Sequence, residues 1–421
     1  MVVERFTAYH HLRAALALGC AQGVFTFNEY VARRELGAGR EHIVALLLAP
    51  ALAQTLATFW NPADPGRVLG RRPFRVLGMG GQAPLALLAL VAALGVTITA
   101  SPFVAALALA SVCGALLIPT QGAILSNNYP APRRSRRFAA AVTLQATGLV
   151  VVSVPLGYAL DRHLVAWPHA WLLGAVLAAL GYARWGKLRR RRPPPPPAHL
   201  VAHRSPWRTL RHDRRFLVFE AAFMVYGIGF LALQPVLPLY LLDELQVDYT
   251  QVALARGALF WIAMVVASPF AGRLGDRFGV LRLGALGFLL LGCFAAILLA
   301  WRDITGVYVA FVVFGLAMSC VNVAWNLGPI ALAQGRDPLP YLNAHIGLIG
   351  LRALIGMVGG TWAQQKLGSA AVFQGTMVLE AIAVVTMLVA AGPGRRPWRA
   401  RGRRAEDVPP PAPEASLPPA P

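Results

Sequence analysis

Apolar stretches of about 20 residues recur along the whole chain, each bounded by short clusters of charged residues, glycine and proline. A stretch of that length crosses the hydrocarbon core of a bilayer as a helix. Helix is the expected form because backbone in lipid has to satisfy its own hydrogen bonds. The pattern predicts a first set of spans at 12–31, 42–60, 74–97, 102–126, 138–160 and 169–186, and a second set at 216–242, 250–270, 281–301, 306–328, 341–363 and 371–391. Residues 187–215, "KLRRRRPPPPPAHLVAHRSPWRTLRHDRR", interrupt the pattern once, near the middle. The chain therefore divides into a six-span unit at 1–186, a basic and Pro-rich linker at 187–215, a second six-span unit at 216–391, and a tail at 392–421 whose composition predicts disorder.

The two units resemble each other. A shift of 209 residues places Glu35-Leu36 on Glu244-Leu245, Gly66 on Gly275, Gly70 on Gly279 and Leu77-Gly78 on Leu286-Gly287, with no gap. Each match is weak alone in a chain rich in Ala, Leu and Gly. At the same place in two six-span units, together they indicate an internal repeat. The expected fold class is an all-α membrane protein, twelve transmembrane helices forming two six-helix bundles related by pseudo-two-fold symmetry.

Composition agrees with a membrane protein. The 421 residues are 57% hydrophobic and 14% charged, against about 25% charged in soluble proteins. The net charge of +21 would suit a nucleic-acid partner if it lay along one face. It lies between apolar spans instead, so bilayer topology is the better explanation and no nucleic acid is expected. With both termini inside, the inner segments hold about 31 Arg and Lys and the outer loops about six, which predicts cytoplasmic termini in the inner (plasma) membrane. The linker arginines are expected to face anionic headgroups, and its prolines to act as a stiff spacer. Cys20, Cys113, Cys293 and Cys320 lie inside apolar runs at no metal-ligand spacing, so they read as small core residues. No metal or cofactor is expected. "GMGG" at 78–81 follows no strand and opens a span, so it is not a nucleotide loop.

The stretch "SPFAGRLGDRFGVLRLGALG" (268–287) carries the most specific pattern. Its glycines allow a tight turn and close helix approach. Asp276 is placed to accept hydrogen bonds from a helix N-terminus, and Arg277 to pair with a carboxylate or headgroup. Gly272, Leu274, Gly275, Asp276, Arg277 and Gly279 form the expected gating motif. This G-x-L-x-D-R-x-G pattern, with six plus six spans and a long central loop, resembles the major facilitator superfamily of secondary transporters. The basic pair that usually follows the motif is Val280-Leu281 here. After the second span, "NPADPGRVLGRR" keeps Gly66, Gly70, Arg71 and Arg72 but has Arg67 where the family has aspartate.

The resemblance implies two bundles rocking about a site near the bilayer midplane, lined by helices 1, 2, 4, 5, 7, 8, 10 and 11. Polar residues on those spans are the candidates. Gln22, Asn28, Gln145, Gln234, Asn322, Trp325, Asn326 and Arg352 form the expected cavity, and Asn322 and Asn326 share one helix face. Glu29, Gln54, Gln121, Tyr226 and His345 are further polar positions on these spans. Arg352, near the middle of its span, either holds an anionic group or pairs with a carboxylate such as Glu380. Glu220 is expected to pair with nearby arginines, and Arg256 to snorkel to the outer surface. Glu29 and Asp161 are the acids nearest to those that proton-coupled exporters of the superfamily carry, but the exporters' helix 4 arginine motif is absent. Pro155 and Gly157 are all that "VPLGYAL" keeps of their glycine-proline motif.

The expected function is secondary active transport of a small organic solute, efflux or uptake, with a coupling proton left open. No catalytic triad or phosphate cradle is present, so an enzyme or an ATP-driven pump is not expected. A monomer in the bilayer is expected. The alternative is a transporter-fold sensor or scaffold without transport activity.

Overall fold

The computed structural model describes residues 2–60, 71–188, 210–333 and 339–392. The central stretch of the linker, the second-span motif copy at 61–70 and nearly all of the tail lie outside those residues. The described chain is all-helical: α1 (Val2–Phe25), α2 (Asn28–Arg34), α3 (Arg40–Trp60), α4 (Phe74–Ala93), α5 (Ala100–Asn128), α6 (Ala131–Asp161) and α7 (Trp167–Trp185) precede the linker. After it come α8 (Arg214–Glu244), α9 (Tyr249–Phe278), α10 (Val280–Ala300), α11 (Ile304–Ala333), α12 (Leu339–Gly347), α13 (Ile349–Leu367) and α14 (Ser369–Ala391). Among the described residues, nine helical segments are long and apolar enough to cross a membrane. The segments α1, α3 and α7 fall outside that set. Glu4, Arg5 and two histidines dilute the apolar character of α1, and His169 and Arg184 that of α7; α3 is apolar from Ile43 onward.

Short connections make successive helices antiparallel, so the bundle has two ends. One end carries the N-terminus, and there Glu4 is buried between Arg133 and Arg137 at 3.4 and 3.3 Å. Asn128 donates to Thr7 at the same end, and Arg215 donates to the carbonyls of Ala390 and Ala391. The opposite, far end carries the turns after α2, α6 and α8. Before the linker, α1 packs on α6 and α7, α3 on α5, and α4 on α7. After it, α8 packs on α13 and α14, α9 on α11, and α10 on α14. These are the same pairings in the same order. The two sets meet where α3 lies against α13 and where α6 lies against the start of α9.

Local chemistry explains the less regular places. The helix α1 starts ten residues before the expected span, because Glu4 and His11 are buried among polar partners and His10 against aromatic rings rather than left in water. Wider π turns occupy Phe74–Met79, Tyr240–Glu244 and Ala253–Leu259. Such turns are inserted residues that re-aim side chains, often at functional places. The second carries Asp243 and the third Arg256, both of which reach across to the other set of helices.

Candidate functional site

The seam between the two sets of helices is built on small residues. A methyl group on Gly157 (α6) would press on the Tyr249 carbonyl and the Ala253 side chain of α9. A methyl group on Gly257 would meet Ser153 in the reverse sense. Only glycine lets backbones approach so closely. Further along the seam, the Gly350 N–H donates to Thr55 Oγ1 at 2.7 Å.

Among the described residues, the ion pairs that join the two sets gather at the far end. Arg256 donates through both terminal nitrogens to Glu29, at 3.1 and 3.2 Å, and the Glu29 side chain is only 5% exposed. Arg33 makes a second two-pronged pair with Asp243, at 3.2 and 2.9 Å, in a more open setting. Tyr249 donates its hydroxyl to Glu35 at 2.8 Å, under the Arg34 guanidinium. Arg256 therefore does not snorkel. A neighbouring carboxylate from the other set gives its guanidinium a better partner than interfacial water would.

Asp161, at the end of α6, completes the start of α9. A helix leaves its first N–H groups without intrahelical acceptors. Here the Gln251 N–H goes to the Asp248 side chain and the Val252 N–H to the Asp248 carbonyl. The Tyr249 and Thr250 N–H groups go to Asp161 at 3.0 and 2.6 Å, and the Thr250 hydroxyl adds a bond of 2.5 Å. A carboxylate from one set thus caps a helix of the other.

A second polar cluster is buried inside the helices after the linker. Glu220 Oε1 lies 2.8 Å from His345 Nδ1. Glu220 is hydrogen-bonded to this histidine rather than to an arginine, and Arg352 stands close enough to act on it electrostatically. Arg352 is 2% exposed, donates to the Phe223 carbonyl at 3.2 Å, and lies 4.5 Å from the Trp325 ring centre. Its Nη2, Glu220 Oε2 and His345 Nε2 have no hydrogen-bond partner. Glu380 is also buried, against Gly229 and Gly292, with neither carboxylate oxygen bonded, so it is not the hydrogen-bonded partner of Arg352. An Arg352→Gln variant removes the cation beside Glu220. A loss of about 3 kcal/mol, the scale for stranding one half of a buried charge pair, is expected in thermal unfolding of the purified protein, with Arg352→Lys failing to restore the planar contact on Trp325.

The other sequence-predicted positions fall in several places. Gln145 donates to Gln22 at 2.9 Å on an exposed stretch of α1 and α6. Asn322 and Asn326 are exposed on α11, with Asn326 donating back to the Asn322 carbonyl at 2.7 Å and Trp325 half-buried between them. Gln234 is half-buried on α8. Asn28 accepts from the Trp171 indole at 2.9 Å, a bond within the first set of helices.

The motif has a different local form from the expected loop. The helix α9 continues through Asp276 and Arg277 to Phe278, and Gly279 alone separates it from α10. Gly279 has φ +90°, which a residue with a side chain adopts only at a cost. Gly275 faces Leu283 and Val323, whereas a methyl on Gly272 would meet nothing. Asp276 is exposed, in the last turn of a helix rather than at the start of one.

A family model described as the Major Facilitator Superfamily matches residues 14–328, with a second match over 221–418. No curated protein sequence matches the chain. Among solved structures, a mutant of the nucleoside transporter NupG is similar at TM-score 0.65 and 12% identity, covering 91% of this chain and 98% of that one. A POT family transporter in complex with a thioalcohol-conjugated peptide is similar at TM-score 0.68 and 13% identity, covering 92% and 94%. At these identities the structures share the fold alone. The family match extends over well more than half of the sequence, and on it the chain belongs to the Major Facilitator Superfamily of membrane transport proteins.

Proposed function

We propose that the chain is a secondary transporter that moves a small organic solute by alternating access between two six-helix bundles, the first ending at Trp185 and the second beginning at Arg214. In this reading α1, α3 and α7 also cross the bilayer, giving twelve spans with pseudo-two-fold symmetry. The repeated helix pairings support that count. The arginine asymmetry supports cytoplasmic termini in the plasma membrane. The carrying observation is the uneven seam. Two-pronged ion pairs and a borrowed helix cap join the halves at the far end, while Asp276 at the other end is exposed. That arrangement fits a state closed on the far side and open on the side of the termini. Gln22, Asn322 and Asn326, exposed on otherwise apolar helices, and the half-buried Gln145 are the proposed solute contacts. The buried Arg352 cluster holds the second bundle together beside them.

Flux into proteoliposomes under an imposed proton gradient tests the proposal. A nucleoside and a thioalcohol-conjugated peptide are the first solutes to try, because the structural neighbours are named for them. Gradient-dependent uptake or export of any solute supports transport. A solute that stabilises the protein yet never crosses would favour a sensor.

The motif makes a separate prediction. Asp276→Asn should leave thermal stability within about 0.5 kcal/mol, as an exposed substitution does. It should nevertheless slow flux, because Asp276 is proposed to brace the end that carries the termini when that end closes. A charge-assisted bond contributes about 1.5–3 kcal/mol, enough to shift the two-state population more than tenfold. Equal flux at equal protein would remove Asp276 from the gate.

A further inference from the structure

A cavity of about 500 Å³ opens at the end of the bundle that carries the N-terminus, between α1, α4 and α7. Phe6 and His10 line it from α1, Arg75 and Met79 from α4, and Ala183, Gly186 and Lys187 from the end of α7. Three features set it apart from an accidental groove. It is cationic: Arg75 and Lys187 make no ion pair with a described residue, and the charged groups acting on His10 are Lys187, Arg184 and Arg13, all positive. It contains a buried polar atom without a partner, since His10 is 6% exposed and its Nδ1 has no hydrogen bond. Its apolar rim is open: Phe6 and Met79 are 50% and 38% exposed, and Val76 beside them is 68% exposed.

Position narrows the ligand. His10 comes just before the first apolar span, Arg75 opens the third, and Lys187 follows the sixth, so the cations stand at the depth of lipid headgroups while Met79, one turn further into α4, lies on the acyl-chain side. Unpaired cations gathered beside exposed apolar side chains fit an amphipathic anion. Basic pockets between transmembrane helices hold phosphate headgroups for this reason.

We propose that this pocket holds the phosphate of an anionic phospholipid, with Arg75 and Lys187 as its cationic contacts and Met79 against its first acyl segment. The proposal is independent of whether the protein transports, because binding alone is read.

The test uses the purified full chain in detergent, titrated with dioleoyl phosphatidylglycerol, dioleoyl phosphatidylcholine or inorganic phosphate. Retained lipid is counted by native mass spectrometry and stability by thermal unfolding. Phosphatidylglycerol is expected to stay bound and to raise Tm more than phosphatidylcholine does, with inorganic phosphate having no effect. Each cation near a lipid surface contributes about fivefold in affinity, so Arg75→Gln with Lys187→Gln should bind about 30-fold more weakly. Lys187→Gln alone, at an exposed site, should lose about fivefold. Arg136→Gln, an exposed arginine at the same end outside the pocket, should bind normally. Equal effects of the two lipids would overturn the proposal, as would equal loss in Arg136→Gln. A stabilisation by inorganic phosphate that Arg75→Gln with Lys187→Gln removes would assign the pocket to a free anion and overturn the lipid reading.

Discussion

Replacing Arg256 with methionine is expected to open the far end of the protein by more than ~100-fold in population. The Glu29 side chain is 5% exposed and, among the described residues, its two oxygens are held by Arg256 at 3.1 and 3.2 Å. Removing one partner of a buried pair strands the other charge at a cost of about 3–5 kcal/mol. That cost falls only on the closed arrangement, because separation of the halves lets water reach Glu29. A cysteine at Ser153 reports the change, since Ser153 is buried and its side chain faces Gly257 across the seam. In a background without Cys20, Cys113, Cys293 and Cys320, a water-soluble maleimide should label position 153 slowly in the parent and far faster with Arg256→Met. Glu29→Gln should have a smaller effect, because the amide oxygen still accepts and Arg256 is more exposed than Glu29. Combining Glu29→Gln with Arg256→Met should recover most of the loss. Labelling at the parent rate in Arg256→Met would mean the pair carries no part of the closure.

Asp161→Ala is expected to loosen the same end by a different route. The variant leaves the Tyr249 and Thr250 N–H groups at the start of α9 without acceptors, while Asp248 still satisfies Gln251 and Val252. Hydrogen bonds to a charged acceptor contribute about 1.5–3 kcal/mol each and are not additive, so a loss near 3 kcal/mol is expected. Hydrogen exchange localises it: peptides covering 245–255 should lose about 100-fold in protection, and peptides from α14 should not change. Asp161→Asn keeps one acceptor oxygen and should fall between parent and Asp161→Ala. Exchange that rises equally in α14 would point to general destabilisation instead of a lost cap.

The helices themselves were legible because apolar length is a local signal. Spans expected at 281–301 and 371–391 appear as Val280–Ala300 and Ser369–Ala391. The expectation failed where charge is buried locally, as in α1, whose first turns looked polar but bury Glu4 between two arginines. At the motif the expected tight turn is present, but it is a single residue with positive φ, and the helix runs on through Asp276 and Arg277. The cross-bundle contacts were not legible because their partners are about 200 residues apart, as Arg33 and Asp243 are. A usable signal was nevertheless present. Few charges belong to the far end, and Arg33, Arg34 and Glu35 fall opposite Asp161, Asp243 and Glu244 in a chain otherwise dominated by positive charge. Opposite charges placed sparsely at one end of two repeated units are candidates for a lock between them. The Glu220–His345 contact gave no such signal, since a lone histidine inside an apolar span has many partners within reach of a folded bundle.

The central claim is that the two halves rock, so that opening one end closes the other. Paired spin labels at Leu164 and Leu367 report the far end, and labels at Arg136 and Ala331 report the end that carries the termini; all four positions are exposed. Distances are measured in the parent and in Arg256→Met, again without the native cysteines. Rocking predicts that the 164–367 distance lengthens while the 136–331 distance shortens, in the same fraction of molecules. Lengthening at both ends, or a change confined to the far end, would contradict it.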